Sequence, residues 1–179
     1  MNRLLHFFSY EQCYNYYTKR IDSIRQKIIE GEVIVAKPAL LIAIIDSIDE
    51  NIFVTNQFVI NDSLEEQYKK LMQKYTKDSR FDRATGIEKP FWHLESDGFW
   101  HLNYLGEQLS KRQTPSKAWL KENVKFAYFD ESLWILLQNR FWRTKLRDYI
   151  IEHKLTDSLL AQKIKGCGLG VLAAILLTA

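Results

Sequence analysis

The sequence predicts a single α+β domain, mainly helical, with a small antiparallel sheet around a central hairpin. Three observations predict it. Amphipathic stripes at helical spacing, each opened by a capping residue, recur along most of the chain. Residues 89–102 break that pattern: two aromatic-rich runs flank Ser96-Asp97-Gly98, where Gly98 takes positive φ cheaply and Asp97 can hydrogen-bond nearby backbone, the chemistry of a hairpin turn. No Pro/Gly/Ser-rich linker divides the 179 residues, so 1–165 reads as one domain and 166–179 as an apolar C-terminal tail.

The elements follow in order. Ser9 with Gln12 makes a capping box and Phe8 with Cys13 a hydrophobic staple, so a helix starts at Tyr10; its stripe is Tyr10, Tyr14, Tyr17, Ile21, Ile24 and Ile28, with Lys19, Arg25 and Lys27 outside, and Gly31 ends it. Pro38 suits the first turn of a helix, and the residues after it are apolar all the way round through Ile45. This is a central buried helix or, given its isoleucines, a buried strand. Gln57 to Ile60 is a strand or a loop on the core. Asp62 and Glu65 open a helix with the stripe Leu64, Tyr68, Leu71, Met72 and Tyr75, and Lys69, Lys70 and Lys74 lie outside it. In the 90–103 hairpin, Leu94 and Glu95 pair with Phe99 and Trp100, with the Pro38 helix packed behind. Thr114-Pro115 opens a short helix through Leu120, and 125–129 is a strand or a tight connection. Asp130 and Asn139 cap two further helices, the second carrying Arg140, Arg143, Lys145 and Arg147 mostly outward, and Thr156 caps a last one.

A composition that is 46% hydrophobic and 13% aromatic has enough apolar surface to offset ordering entropy and argues against disorder. Net charge of +3 permits a local basic face without requiring one. Cys13 and Cys167 lie far apart without partner spacing, and no secretory signal opens the chain; both point to a reducing, cytoplasmic setting. The tail is shorter than the roughly 20 residues that span a bilayer, so no transmembrane span is expected. It reads instead as a surface for self-association or for a partner, since an exposed apolar stretch promotes aggregation.

Catalytic chemistry is not visible. His93 and His101 are the only close histidine pair, set across a turn, which reads as packing rather than metal ligation. No HNH or other nuclease pattern and no cofactor motif appear. Gly166 to Gly170 follows a helix rather than a strand and lacks the Lys-Ser/Thr of a phosphate loop. Nucleic-acid binding has residues to carry it: Lys69, Lys70, Lys74, Lys77, Arg80, Arg83 and Lys89 lie between a helix and an aromatic run. Cations beside planar rings can hold phosphate and base together; the same residues also fit a solvated helix face.

Ala-Lys-Pro-Ala-Leu-Leu-Ile-Ala-Ile-Ile-Asp at 36–46 and Pro-Phe-Trp-His-Leu-Glu-Ser-Asp-Gly-Phe-Trp at 90–100 resemble a known family. So do Ala127 to Asp130 and the Arg-rich helix ending near His153. The resemblance is to the DNA-recognition domain ahead of the nuclease in HNH restriction endonucleases, in particular the sulfur-binding domain of enzymes that act on phosphorothioate DNA, and it covers most of 30–155. It implies a module for double-stranded DNA, with Lys37 as the cation of the first motif and Pro90 in the apolar sulfur pocket. His93 falls where that pocket has a small residue, Ala36 where the family has histidine, and Lys89 where it has tyrosine. The DNA-contact set expected is Lys37, Lys89, Pro90, His93, Arg80, Arg83 and Trp92. A nuclease partner, or self-association through 167–179, is the accompanying expectation. The alternative is a protein-interaction module on the same fold.

Overall fold

The structure, a computed structural model, describes residues 7–30, 32–76, 85–106 and 113–156. Helix α1 (Tyr10–Asp22) starts at the predicted cap: Ser9 Oγ accepts from the Gln12 amide at 3.2 Å, and the Gln12 side chain accepts in return from the Phe8 amide at 3.1 Å. Cys13, Tyr14, Tyr17 and Ile21 face the core. The helix stops well before Gly31. Ser23 folds its hydroxyl onto the Arg20 carbonyl at 2.7 Å, the backbone competition that makes Asp and Ser poor helix interiors. The β-branched residues beyond it then form a ribbon of two short antiparallel strands, β1 (Ile28–Ile29) and β2 (Glu32–Val33). Glu30 between them takes φ of 49°, in the left-handed region. Ile24 is buried outside the helix, and Ile28 is 62% exposed.

Helix α2 (Ala36–Asp49) has Pro38 in its first turn, where no intrahelical N–H is needed, and is buried on every side from Ala36 to Ile45 except at Lys37. The expected central helix is thus present. Its buried hydroxyl, Ser47, lies 2.7 Å from the Ala43 carbonyl and 2.6 Å from Gln67 Oε1. Helix α3 (Asp62–Thr76) packs along it with Leu64, Tyr68, Met72 and Tyr75 inward. Its cap is Asn61 rather than Asp62: Asn61 Oδ1 accepts from the Leu64 amide at 2.9 Å. Lys69 and Lys70 pair with Glu65 and Glu66 one turn back on the outer face.

The predicted hairpin over 90–103 is corrected. Its first half is helical: α4 (Glu88–His93) runs into a 3-10 turn (Leu94–Asp97), and only the second half is a strand, β3 (Trp100–Tyr104). Pro90 falls in the first turn of α4, where its fixed φ favours helix. Gly98 at φ 83° does break the chain as the turn chemistry predicts, but it ends the helical segment instead of joining two strands. The partner of β3 comes from downstream. Helix α5 (Lys117–Asn123), capped by Ser116 rather than by Thr114, leads directly into β4 (Val124–Phe129), which pairs antiparallel with Trp100 opposite Phe129 and Leu102 opposite Ala127.

The outer edge of β4 is covered by residues 56–58. Phe58 and Ala127 exchange backbone hydrogen bonds at 2.7 and 2.8 Å. The Asn56 amide imitates the next residue of a strand, donating to the Phe129 carbonyl at 2.8 Å and accepting from its N–H at 2.9 Å. Trp100 stacks on Phe58 at 5.6 Å and meets Phe91 and Phe129 edge-on, so the sheet's inner face is aromatic.

Helices α6 (Glu131–Gln138) and α7 (Arg140–Ile150) follow, with Asn139 capping α7 by accepting from the Trp142 amide; a π-helical turn (Ile151–Thr156) closes the described chain. Asp130 occupies the cap position of α6, yet its carboxylate is drawn off to Tyr17 Oη (3.1 Å) and His101 Nε2 (2.6 Å). Arg143 and Arg147 do not point outward as predicted. They turn onto α2, hydrogen-bonding Asp49 and Asp46. Among the described residues no helix is long and apolar enough to cross a membrane. Cys13 is buried as a free thiol, and burial pushes its pKa up to about 11. Cys167, the Thr156-capped helix and the tail at 166–179 lie outside the described residues, or begin where those residues end.

Asn56→Ala removes both clasps and leaves the Phe129 N–H and C=O without the partners that close the sheet edge. It should destabilise the fold by about 2 kcal/mol, the cost of stranding buried backbone groups, read as a lower urea midpoint at unchanged slope.

Candidate nucleic-acid interface

The early end of α1 creates the site. Arg25, Gln26, Lys27 and Ile29 leave the helix axis and line one side of an open cleft of about 520 Å³. The Lys27 carbonyl accepts from the Ile34 amide at 2.8 Å, which holds the β1–β2 ribbon closed beside it. The floor is the start of α2, Ala36 and Lys37, with Ile34 leading into it from β2. The opposite wall is α4 and the turn after it, with Lys89, Pro90, His93 and Ser96, joined by Thr85 and Thr114.

The wall is braced from behind. Trp100 Nε1 donates to the Phe91 carbonyl at 2.9 Å, tying β3 to α4. Glu95 accepts from Tyr104 Oη at 2.7 Å, and burial raises that phenol to about 12, keeping it a donor. His93 Nε2 lies 2.8 Å from Thr114 Oγ1, which links α4 to the approach to α5. That approach is fixed by Lys117, whose ammonium sits 2.9 and 3.0 Å from the two oxygens of Glu65 on α3.

The cleft has a divided character. Ile29, Ile34, Ala36 and the Pro90 ring give it apolar surface, while Arg25, Lys27 and Lys89 are exposed cations at its rim, and among the described residues no carboxylate lines it. Lys37 is different. It is only 14% exposed and its Nζ lies 2.6 Å from Asp97 Oδ2, a carboxylate that is 5% exposed behind the wall. Lys154 lies in the same field: its ammonium donates to the Asp22 carbonyl at 2.9 Å, and burial lowers its pKa against the opposing pull of Asp22 and Asp97.

Of the residues singled out from sequence, the structure brings Lys37, Lys89, Pro90 and His93 into one cleft. Trp92 is corrected. Its ring is fully buried, edge-on to Tyr104 and Trp119, because α4 packs its Pro90, Phe91 and Trp92 positions inward together. Arg80, Arg83 and Lys77 lie outside the described residues. Arg25, Gln26 and Lys27 were missed, since a helix continued to Gly31 places them on its solvent face. The Asp22-Ser23 pair followed by β-branched isoleucines was the available signal. Among the described residues no group of three or more potential ligands could hold a metal ion.

The family model of the ScoMcrA-like DNA sulfur-binding domain matches residues 36–170. Two solved structures share the fold. The sulfur-binding domain of SprMcrA complexed with phosphorothioated DNA superposes with a TM-score of 0.61 at 13% identity, covering 82% of this chain and 88% of that one. The sulfur-binding domain of ScoMcrA complexed with phosphorothioated DNA gives 0.58 at 16% identity, covering 88% and 92%. No curated protein matches the chain.

The Glu65–Lys117 bridge makes the cleft wall sensitive to acid. The hydrogen bond from Lys117 holds the Glu65 carboxyl below its ordinary value, against partial burial and with help from Lys69. A depressed folded pKa means that this stabilisation is complete above the ordinary carboxylate range and is lost as pH falls through the folded value. Glu65→Gln should therefore lower stability at neutral pH and flatten the loss on acidification between about pH 5 and 3, followed by thermal melts across that range.

Proposed function

The chain belongs to the ScoMcrA-like DNA sulfur-binding domain family, and on that premise we propose that it is a DNA-recognition module whose cleft receives a phosphorothioate diester of duplex DNA. The observation that carries the reading is the division within the cleft, apolar surface from Ile34, Ala36 and Pro90 beside exposed cations at Arg25, Lys27 and Lys89.

The physics matches the ligand. A phosphorothioate keeps the negative charge of a phosphate but replaces one oxygen with a larger, less hydrated sulfur. Apolar walls can cover that sulfur at a smaller desolvation cost than oxygen would carry. Rim cations contribute a sequence-independent attraction that arises largely from released counterions. Contacts of this kind position the duplex; the atom in the pocket decides which ester is preferred. His93 narrows the pocket where the family has a smaller side chain, so modest preference for sulfur is part of the proposal. A cytoplasmic setting also belongs to it, because DNA is an intracellular ligand. A nuclease partner, or self-association through 167–179, would supply what a binding module lacks.

Titration of matched duplexes with and without one phosphorothioate tests the reading. Wild-type protein should bind both, more tightly to the modified one, with affinity falling steeply as salt rises. Lys89→Ala or Arg25→Ala should weaken both complexes and reduce the log–log salt slope by about one, while leaving the sulfur preference in place. His93→Ala should increase that preference by up to about tenfold, the scale of one step in the size of an apolar pocket. Absence of binding to either duplex at low salt would remove the proposal.

A further inference from the structure

The cation nearest the apolar floor of the cleft is the one whose charge is already engaged. Lys37 begins α2 between Ala36 and Pro38 and lines the cleft, yet its ammonium is 2.6 Å from Asp97 and its side chain is 14% exposed. Asp97 is 5% exposed and stands at the end of the 3-10 turn, directly before Gly98, whose φ of 83° sets the chain reversal into β3. Both partners are therefore held by rigid backbone. The exposed cations of the cleft, Arg25, Lys27 and Lys89, belong to its rim.

Resting on the function proposed above, we infer that Asp97 is a specificity-determining positioning residue: it holds the Lys37 ammonium out of the pocket, so that the ester meets the methylene stem of Lys37 instead of its N–H donors. The consequence follows from the difference between the two esters. An ammonium donates strongly to a phosphate oxygen and poorly to sulfur, so a free Lys37 head in the pocket rewards the unmodified ester. With the head turned to Asp97, what faces the pocket is hydrocarbon, which favours sulfur. The general attraction to phosphate then comes from the rim, where it does not discriminate. Asp97 touches no ligand in this arrangement; it acts through Lys37.

Asp97→Asn keeps the shape and removes the charge that retains the ammonium. Binding of matched duplexes with and without one phosphorothioate should show the unmodified duplex bound more tightly than by wild type. The sulfur preference should fall by up to about tenfold, the scale of one charge-assisted hydrogen bond. A merely structural role for Asp97 predicts the opposite pattern, weaker binding of both duplexes at an unchanged ratio, and that result overturns the inference. Lys37→Met combined with Asp97→Asn keeps the stem, removes the head and leaves no buried charge unpaired, and provides a second reading should Asp97→Asn alone fail to fold. Its sulfur preference should lie at or above that of wild type, whereas an equal, several-fold loss for both duplexes would place the ammonium on the phosphate and overturn the inference. In the double variant the preference lost in Asp97→Asn should return, since the head that rewards oxygen is gone. Wild-type binding to neither duplex would overturn the DNA reading itself, an outcome distinct from wild-type binding with an unresponsive Asp97→Asn.

Discussion

A helix that is apolar on every side must be enclosed on every side, and the rest of this architecture follows from that requirement. Between Pro38 and Ile48, α2 offers few polar side chains to solvent. Helices α3, α4 and α7 and the π-helical turn pack around it. The covering elements are charged on their far sides, so enclosure needs attachment as well as burial. Attachment is concentrated at the C-terminal end of α2, where Arg143 and Arg147 of α7 hydrogen-bond Asp49 and Asp46, and where Ser47 and Gln67 meet. Arg147 engages both oxygens of Asp46, and a two-point grip of that kind fixes the direction of a helix as well as its distance. The cover opens at the other end of α2, and the cleft begins there, at Ala36 and Lys37.

The second constraint is the unpaired edge of a two-stranded sheet. An isolated pair of strands is marginal in water, and β3 with β4 gains support on two sides. The inner face packs Trp100 against Phe58, Phe91 and Phe129. The outer edge of β4 is occupied by Phe58 and by the side-chain amide of Asn56. The bond from Trp100 Nε1 to the Phe91 carbonyl then carries that rigidity into α4. Pro90 and His93 thus sit on a wall backed by sheet and core, although the wall itself is barely two helical turns long.

These constraints also explain what could be read from the residues in advance. The buried helix, the stripes of α1 and α3, and the caps at Ser9 and Asn139 were legible because they depend on neighbours in sequence. The mainly helical α+β class was legible from capped amphipathic stripes interrupted by one aromatic-rich segment, and the grouping of Lys37, Lys89, Pro90 and His93 through family resemblance. What escaped depended on distant partners. The aromatics of 90–103 are compatible with a hairpin, and only the arrival of β4 from 124–129 lets β3 pair elsewhere and frees 88–97 to be helical. Arg143 and Arg147 look solvated until α2 supplies its two aspartates. Asp130 looks like a simple cap until Tyr17 and His101 compete for it. Arg25 and Lys27 looked like an outer helix face because periodicity continued past the point where Ser23 turned back on the helix.

A basic cleft alone would bind any nucleic acid, and an apolar one alone would bind almost nothing in water that is anionic. The two properties serve recognition of a modified phosphate only if they are separated in space, so that charge acts over several ångströms while the pocket acts at contact. The fold provides that separation through the origins of its walls. Arg25 and Lys27 come from a chain segment that has left its helix and stands exposed, and Lys89 from the outer side of α4; on the proposed reading both supply the long-range attraction. Ala36 and Pro90 are buried parts of helices committed to the core, and their surfaces cannot become polar without cost to packing. Lys37 lies where the two sets meet, and a buried carboxylate occupies its charge. In the proposed recognition the long-range term therefore belongs to exposed residues, and the contact term to residues the core already constrains.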